Sequence, residues 1–317
     1  MSAQTCLVTG SAGFIGSAIA KELLAHGYSV VGLDNLEGGS QSTLESLLQH
    51  PSFSFIRGDI RHISDCEQAC QGADFVFHQA ALASVPESIQ KPQLFHENNG
   101  TGTLNMLIAA QKAGVKRFIF ASSCAVYGDT QDVPISETTT PNPQSPYAVD
   151  KLLGEYYCKM ATLHYKLPTL SLRYFNVFGP GQNPNGPYAG VIPLFIKAVK
   201  EGRAPVIFGT GNHTRDFVSI HSVVAANIAA LTATETAFGK AFNIGSGVEI
   251  SVLQLAKKIQ KLWDSNLDLS YHSGRSGDIS RSVSDPRLSK QFLGEYDKVS
   301  LSEGLVEIVD ILRRSEC

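Results

Sequence analysis

The stretch TCLVTGSAGFIG, at residues 5–16, decides the fold class of this chain. Residues 5–9 are typical of a short buried strand, and Gly10, Gly13 and Gly16 follow directly before a helix-like run that reaches His26. In this spacing the first glycine permits a tight turn, the second lets backbone approach a pyrophosphate, and the third lets helix and strand pack closely. The helix N-terminus then faces the anion, so the stretch predicts a diphosphate-binding strand, loop and helix.

A carboxylate at the end of the next strand decides which dinucleotide is expected. The strand-like residues 28–33 end at Asp34 and Asn35, about twenty residues beyond the glycines, where a carboxylate accepts hydrogen bonds from an adenosine ribose. An acid there repels a 2′-phosphate, so NAD is favoured over NADP. At the following strand end, Asp59 and Ile60 are candidates to receive the adenine, by a hydrogen bond and an apolar contact respectively. Asp59 is equally well explained as a cap of a helix at residues 64–71.

A proton-transfer trio is the second informative pattern. Tyr147 and Lys151 are four residues apart, so on a helix they lie on one face, and a strand-like run ending at Ser123 precedes them. A nearby cation favours the phenolate, so we expect Lys151 to bring the Tyr147 pKa toward neutral. Ser123 would then relay the proton to or from a substrate alcohol. Such a pair alone is more often one core residue and one solvated residue; the glycine loop is what favours the functional interpretation.

Strand-like and helix-like segments alternate from residue 5 to residue 174, which predicts a Rossmann-like α/β fold with a doubly wound parallel sheet. Beyond Asn176, Pro and Gly become dense and the alternation fades. We therefore predict a dinucleotide-binding domain at residues 1–178, to which parts of 216–248 return, and a smaller α/β substrate lobe at 179–317. The strand ends before Ala80, Ser123 and Asn176 should converge on one cleft.

Composition excludes several other functions. The chain has 317 residues, 43% hydrophobic, with a net charge of −3, so neither nucleic acid nor an anionic membrane is an expected partner. No apolar run approaches the ~18 residues needed to span a bilayer, and no basic N-terminal segment resembles a leader, so we expect a cytoplasmic protein. The six cysteines are scattered, which predicts neither a disulfide framework nor a metal site.

Nine ordered sequence blocks carry a resemblance to a known family. They are TGSAGFIG at 9–16, HQAALASVPES at 78–88, NGTGTLN at 99–105, SSCAVYGD at 122–129, YAVDK at 147–151, RYFNVFGP at 173–180, GTGNHTRDF at 209–217, NIGSG at 243–247 and RSGDISRSVSD at 275–285. Across nearly its whole length the chain resembles the extended short-chain dehydrogenases/reductases, and within them the nucleotide-sugar 4-epimerases.

The resemblance implies a mechanism and a set of contacts. Tyr147, assisted by Ser123, removes the proton of the sugar 4-hydroxyl while the C4 hydride passes to NAD; the 4-keto sugar turns over and takes the hydride back on its other face. Lys151 holds the nicotinamide ribose. The implied NAD-binding residues are Gly10, Gly13, Phe14, Ile15, Gly16, Asp34, Asn35, Asp59, Ile60, Gln79, Ala80, Ala81, Ala83, Asn99, Tyr147, Lys151, Tyr174 and Phe175. The implied UDP-sugar contacts are Ser84, Ser123, Tyr147, Asn176, Val191, Val206, Ile207, Phe208, Arg215, Arg275, Asp278 and Ser282.

Three positions bear on which reaction of the family is expected. Related dehydratases and decarboxylases carry a carboxylate just after the catalytic Ser or Thr, whereas this chain has Cys124 and Ala125, which favours epimerisation. Uronate epimerases tend to carry Thr at the position of Asn176. Ser282 aligns with a bulky aromatic in epimerases restricted to UDP-glucose and UDP-galactose, so a small residue leaves room for an N-acetyl group.

The expected substrate pair is therefore UDP-GlcNAc and UDP-GalNAc, and the loop at residues 183–193 also resembles the group that prefers N-acetylhexosamines. Four alternatives remain: UDP-glucose with UDP-galactose as the substrate pair, UDP-glucuronate as the substrate, a dehydrogenase or reductase that releases NADH, and a non-catalytic NAD-binding sensor. Relatives pair two helices per subunit in a four-helix bundle, so a homodimer through residues 99–114 and 148–165 is expected. The apolar faces of these two segments are equally suited to cover the sheet.

The sequence departs from the family at Ser222, because relatives often carry an acidic residue near this position.

Overall fold

The computed structural model describes residues 4–184, 189–274, 279–297 and 299–314. Within these ranges, strands β1 to β13 are Thr5–Thr9, Ser29–Asp34, Phe53–Arg57, Phe75–His78, Arg117–Ser123, Thr169–Tyr174, Asn176–Phe178, Val206–Phe208, Thr214–Ser219, Lys240–Ile244, Glu249–Ser251, Ser270–His272 and Arg281–Ser282. Helices α1 to α12 are Phe14–Ala25, Gln41–Leu48, Ile63–Cys70, Val85–Gln90, Pro92–Phe95, Gly102–Lys112, Pro146–Tyr165, Val191–Lys200, Ile220–Ala230, Val252–Leu262, Arg287–Leu293 and Leu301–Arg314. A π-helix, His96–Thr101, joins α5 to α6, and Cys124–Tyr127 forms a 3₁₀ turn after β5.

A seven-stranded parallel sheet is the centre of the molecule. Its strand order is β10-β6-β5-β4-β1-β2-β3, and helices cover both faces. Every residue of β6 is buried, as expected for a strand inside a parallel sheet covered on both sides. The predicted Rossmann-like α/β class is confirmed.

The substrate lobe has smaller sheets and its own apolar core. β9 lies between β11 and β13 and also pairs with β7, while β8 pairs with β12. Phe178, Phe195, Ile207 and Leu255 belong to one buried cluster under these strands. Strand β10 follows much of this lobe in sequence, yet it completes the seven-stranded sheet beside β6. The domain limits given above remain a prediction.

Local sequence explains how the site-bearing helices begin. Ser145 caps α7 by accepting a hydrogen bond from the Ala148 amide at 3.2 Å, and Pro146 occupies the first turn, where its missing N–H costs nothing. Helix α1 begins at Phe14, three residues before the predicted start, because the glycine loop leads straight into the first turn. Among the described residues, no helix is long and apolar enough to cross a membrane.

Candidate active site

The glycine loop between β1 and α1 is shaped to receive a diphosphate. Gly10 has φ of +66°, and a Cβ there would lie 2.9 Å from the Ala80 amide nitrogen. A Cβ on Gly16 would lie 2.1 Å from the Gly10 carbonyl oxygen, so only glycine allows helix and loop to approach. Gly13 precedes α1 and no side chain caps it. The first amides of α1 therefore remain available to an anion, and this cradle fits the pyrophosphate of NAD.

Asp34 lies at the carboxyl end of β2, beside the glycine loop. Its carboxylate accepts hydrogen bonds from the amides of Ala12 at 2.9 Å and Leu36 at 2.8 Å. These bonds hold the buried carboxylate at the edge of the cradle, the position that suits an adenosine ribose.

Asp59 does not cap a helix, contrary to the second of our two interpretations. The N-cap of α3 is His62, with no side-chain cap. Instead the Asp59 carboxylate accepts hydrogen bonds from Arg61, at 2.5 Å from Nη2, and from Asn35 Nδ2 at 3.0 Å. Although burial raises its pKa, the bonds from Arg61 and Asn35 prevail and lower it to about 2. Ile60 is buried against Gly102. Adenine binding by Asp59 and Ile60 remains a prediction.

The trio of Ser123, Tyr147 and Lys151 assembles where β5 ends beside α7. The Lys151 ammonium lies 5.9 Å from the centroid of the Tyr147 ring and donates a hydrogen bond to the Ala121 carbonyl at 2.7 Å. Ser123 Oγ accepts from the Ala125 amide at 3.1 Å and hydrogen-bonds Tyr147. The trio thus brings a phenol, a hydroxyl and an ammonium together.

Our expectation for the Tyr147 pKa was wrong for the chain alone. Burial raises the pKa of Tyr147 to about 12, and the Ser123 hydrogen bond only partly opposes it. Burial also lowers the pKa of Lys151 to about 8. Both shifts have the same cause: removing either group from water penalises its charged form. The four-residue spacing placed the two groups correctly but carried no information about their burial.

Five predicted NAD-binding positions lie at or beside the carboxyl ends of β4 and β6. Gln79, Ala80 and Ala81 directly follow β4, and Asn99 clamps the same loop by accepting from the Leu82 amide at 2.8 Å and donating to the Leu82 carbonyl at 2.9 Å. At the end of β6, the Tyr174 hydroxyl contacts Gln79 Oε1 at 3.2 Å.

Three further positions line the same region. Phe175, the residue after Tyr174, is buried, and Ala83 is exposed. Ser84 serves as the N-cap of α4, accepting from the Glu87 amide at 3.2 Å. Its proposed contact with the substrate remains a prediction.

The substrate-side residues come from β7, β9 and β13. Asn176 donates to the Asp216 carbonyl at 3.0 Å, and Arg215 donates to the Ile279 carbonyl at 2.7 Å. Ser282 pairs in register with Arg215 and hydrogen-bonds Cys124, the residue after Ser123. Ser282 is buried, so it is not a solvated strand residue.

Other predicted substrate contacts are spread along the lobe. Val206, Ile207 and Phe208 form β8, and Val191 begins α8. Arg275, Asp278 and part of the 183–193 loop lie outside the described residues.

Sequence reasoning missed the buried polar groups that support this site. Glu155 accepts from Ser122 Oγ at 2.5 Å and pairs with Arg173, which also donates to the Tyr127 hydroxyl at 2.7 Å. Asp216 is fully buried and accepts from Ser246 and Ser284, joining β9 to the segments after β10 and β13. Arg173 and Asp216 stand inside quoted motifs, but their partners are far away in sequence.

The departure at Ser222 also has a structural answer. Ser222 is buried and donates to Asp297 Oδ1 at 2.9 Å. A carboxylate from the segment before α12 therefore lies beside this position, where a local acid was expected from relatives.

Together, the parallel sheet, the glycine cradle and the Ser-Tyr-Lys trio define a dinucleotide-dependent enzyme that acts on an alcohol. Residues 6–245 match the NAD dependent epimerase/dehydratase family. The chain belongs to this family and is an NAD-dependent enzyme.

Several relatives in sequence and in structure are named as UDP-sugar 4-epimerases. The UDP-glucose 4-epimerase of Mycolicibacterium smegmatis is 38% identical over 312 residues, covering 97% of this chain and 98% of its own. The structure of UDP-glucose 4-epimerase from Thermotoga maritima with UDP-glucose matches with a TM-score of 0.93 and 36% identity, over 99% of this chain and 100% of that one. The UDP-N-acetylglucosamine 4-epimerase of Methanobrevibacter ruminantium, in complex with UDP-N-acetylmuramic acid, matches with a TM-score of 0.91 and 36% identity, over the same shares.

Proposed function

We propose that this chain interconverts UDP-GlcNAc and UDP-GalNAc by inverting the configuration at C4 of the sugar. The broader activity, 4-epimerisation of a UDP-sugar, is the activity for which the relatives described above are named. The observation that carries the narrower proposal is Ser282, a small buried residue in register with Arg215 and hydrogen-bonded to Cys124 beside Ser123.

The trio performs the proton transfer. Bound NAD supplies the acceptor and later the donor of the C4 hydride, together with the positive charge of its nicotinamide ring. Tyr147 takes the proton from the sugar 4-hydroxyl and returns it when the sugar has turned. Because burial raises its pKa to about 12, Tyr147 holds its own proton at neutral pH unless positive charge nearby favours the phenolate. Ser123 hydrogen-bonds Tyr147 and orients the reacting hydroxyl.

The UDP moiety must stay anchored while the sugar turns, and the second lobe supplies suitable groups. Arg215 projects from β9 close enough to Cys124 for its charge to lower the pKa of that thiol, which burial raises. A guanidinium suits a diphosphate because its planar fork donates paired hydrogen bonds. From the sequence, we assign the same anchoring role to Arg275 and to Asn176, which begins β7.

Two alternative substrates are kept as outcomes of the test. UDP-glucose is favoured by the names of two of the three relatives above, and UDP-glucuronate differs from UDP-glucose only at C6. Dehydration is disfavoured because Cys124 replaces the expected acid and burial raises the pKa of its thiol to about 11. A non-catalytic sensor is disfavoured because the whole trio is present and assembled.

We also propose that the enzyme is a cytoplasmic homodimer formed through residues 99–114 and 148–165, the second of which lies within α7. Val149, Tyr156 and Leu163 are 49%, 59% and 66% exposed, with Leu153 and Met160 half-buried between them. These five residues alternate steps of four and three along α7, the spacing of a helix-pairing seam. The opposite face of α7 covers the sheet through Ala148, Cys158 and Ala161. One face of α7 thus covers the sheet, and the proposed pairing with a second copy of the chain uses the other face.

Product analysis tests the proposal. The full chain is incubated separately with UDP-GlcNAc, UDP-glucose and UDP-glucuronate, each with added NAD⁺, and products are identified by proton NMR. Conversion of UDP-GlcNAc to UDP-GalNAc supports the proposed substrate pair. Conversion of UDP-glucose alone, or of UDP-glucuronate alone, would make that sugar nucleotide the substrate instead. Steady accumulation of NADH at 340 nm would instead identify a dehydrogenase, and no conversion of any substrate would favour the sensor.

A further inference from the structure

The Asp216 side chain on β9 is fully buried and is held by five hydrogen bonds. Its Oδ1 accepts from the amide and the hydroxyl of Ser246 at 2.9 and 2.7 Å. Its Oδ2 accepts from the Gly247 amide at 3.0 Å and from the amide and the hydroxyl of Ser284 at 3.0 and 2.5 Å. All five partners donate, which is the arrangement that a carboxylate satisfies. A buried network satisfied in this way holds the donating segments rigidly in place.

These donors come from two segments that belong to different parts of the fold. Ser246 and Gly247 come just after β10, which lies beside β6 in the seven-stranded sheet. Ser284 comes just after β13 in the substrate lobe. A Cβ on Gly245 would lie 2.4 Å from Ser284 Oγ and 2.6 Å from Asp216 Oδ2, so the segments meet closely at the carboxylate. Asp216 thus joins the main sheet to the substrate lobe at one point.

Two of the proposed UDP anchors are attached to this residue. Arg215 directly precedes Asp216 and pairs in register with Ser282 on β13. The Arg215 guanidinium donates to the Ile279 carbonyl, just before β13, at 2.7 Å. The Asn176 side chain donates to the backbone carbonyl of Asp216 at 3.0 Å. The positions of both anchors therefore depend on where the Asp216 backbone and β13 are held.

We propose that Asp216 is a positioning residue that fixes Arg215 and Asn176 relative to the main sheet, so that they hold the UDP moiety beside the catalytic trio. The inference rests on the proposed function for the UDP moiety, but not on which sugar is attached. The sugar must turn while the UDP moiety stays in place. An anchor free to shift against the end of β5 would lose the geometry that the reaction needs.

The test is Asp216→Asn, with the Kd of UDP and the Kd of NAD⁺ measured on the full chain by isothermal titration, and the melting temperature recorded. Each Asp216 oxygen accepts from at least one backbone amide. The asparagine NH₂ therefore faces a donor whichever way the side chain is turned. Because arginine binds a diphosphate through charge-assisted hydrogen bonds, the Kd of UDP should rise about tenfold or more. The Kd of NAD⁺ should change little.

The direction of the change separates positioning from a simple charge effect. If Asp216 acted only through its negative charge, its removal beside an anion site would tighten the binding of UDP. Asp297→Asn is the matched control, because burial and the nearby charge of Asp216 raise the pKa of Asp297. Asp297 accepts from Ser222 on α9, which carries neither anchor. This control should leave both Kd values unchanged, even if the melting temperature falls.

An unchanged or lower Kd of UDP in folded Asp216→Asn overturns the positioning role, and so does an equal loss of affinity for UDP and NAD⁺. If Asp216→Asn does not fold, Ser284→Ala provides the test, because it removes the hydroxyl bond and keeps the amide bond. The Kd of UDP should then rise about threefold or more, and an unchanged Kd overturns the proposal. An unchanged protein that binds no UDP refutes the proposed function, and with it this inference. If that protein binds UDP and Asp216→Asn binds it equally well, only the positioning role is refuted.

Discussion

Arg173 on β6 and Glu155 on α7 form a buried, two-bonded ion pair directly behind the catalytic strand end. Arg173 Nε and Nη2 donate to the two Glu155 carboxylate oxygens at 2.8 and 2.6 Å, and both side chains are 7% exposed. Glu155 also accepts from Ser122, the neighbour of Ser123. Glu155 therefore ties α7, which carries Tyr147, to β6 through Arg173 and to β5, which carries Ser123, through Ser122.

Removing one partner of this pair should destabilise the protein strongly. Arg173→Met leaves the Glu155 charge buried and unpaired, and we expect a loss of about 3–5 kcal/mol in the free energy of unfolding, measured by chemical denaturation. Arg281→Met, which breaks the exposed pair with Glu249, is the control and should change stability little. Equal small effects of both substitutions would contradict a supporting role for Arg173.

Tyr147→Phe tests the assignment of the proton-transfer group. The substitution keeps the ring and removes the hydroxyl, so kcat for 4-epimerisation should fall by about 100- to 10,000-fold. NAD⁺ affinity and the melting temperature should change little, because only one hydrogen bond, that with Ser123, is lost. Retention of near-normal kcat would exclude Tyr147 as the acid/base.

Ser282→Tyr tests the proposed substrate gate. A bulky ring at this buried position should fill space expected for the 2-N-acetyl group, lowering kcat/KM for UDP-GlcNAc at least about tenfold relative to UDP-galactose. Ser282→Ala keeps the residue small, so the ratio of kcat/KM for UDP-GlcNAc to kcat/KM for UDP-galactose should be preserved. Equal loss of both activities in Ser282→Tyr would reject the gate.

Acid sensitivity should depend on His78. The ring is buried, contacts Thr9 Oγ1 at 2.8 Å and Thr103 Oγ1 at 3.1 Å, and has a pKa lowered to about 3. The unfolded chain protonates His78 near pH 6.5, whereas the folded chain keeps the ring neutral down to about pH 3. The contribution of His78 to the free energy of unfolding is therefore fully present above pH 6.5 and is lost as the pH falls toward 3. His78→Gln should reduce the slope of unfolding free energy against pH by about 1.4 kcal/mol per pH unit in this range.

The matched variant for this effect is Thr103→Val, which removes one contact of the ring but keeps the ring itself. Thr103→Val should lower the free energy of unfolding without changing the slope of that free energy against pH. If His78→Gln leaves the slope at its original value, the buried ring is not the source of acid sensitivity.

Association should depend on the exposed seam of α7. Tyr156→Glu places a charge at the centre of the seam, so we expect the molar mass measured by light scattering after gel filtration to halve. Tyr271→Glu alters an equally exposed tyrosine on β12 and should leave the molar mass unchanged. A dimer that persists in Tyr156→Glu would move the interface elsewhere.

Local patterns in the sequence were sufficient for the fold class and for the NAD cofactor. The glycine spacing at residues 10–16, the acid at Asp34 and the four-residue step from Tyr147 to Lys151 each depend on neighbours along one turn, loop or helix. The alternation of strands and helices likewise predicted a parallel sheet, because a parallel connection needs a crossover.

Only the tertiary structure decided the features that join distant segments. It paired Arg173 with Glu155, Asp150 with His96 and Ser222 with Asp297, and it returned β10 to the main sheet beside β6. It also reversed the expected direction of the Tyr147 pKa, because burial is a property of the folded chain. Sequence spacing determines which residues share one element; the depth at which a group is buried, and the partner it meets there, depend on how the elements pack.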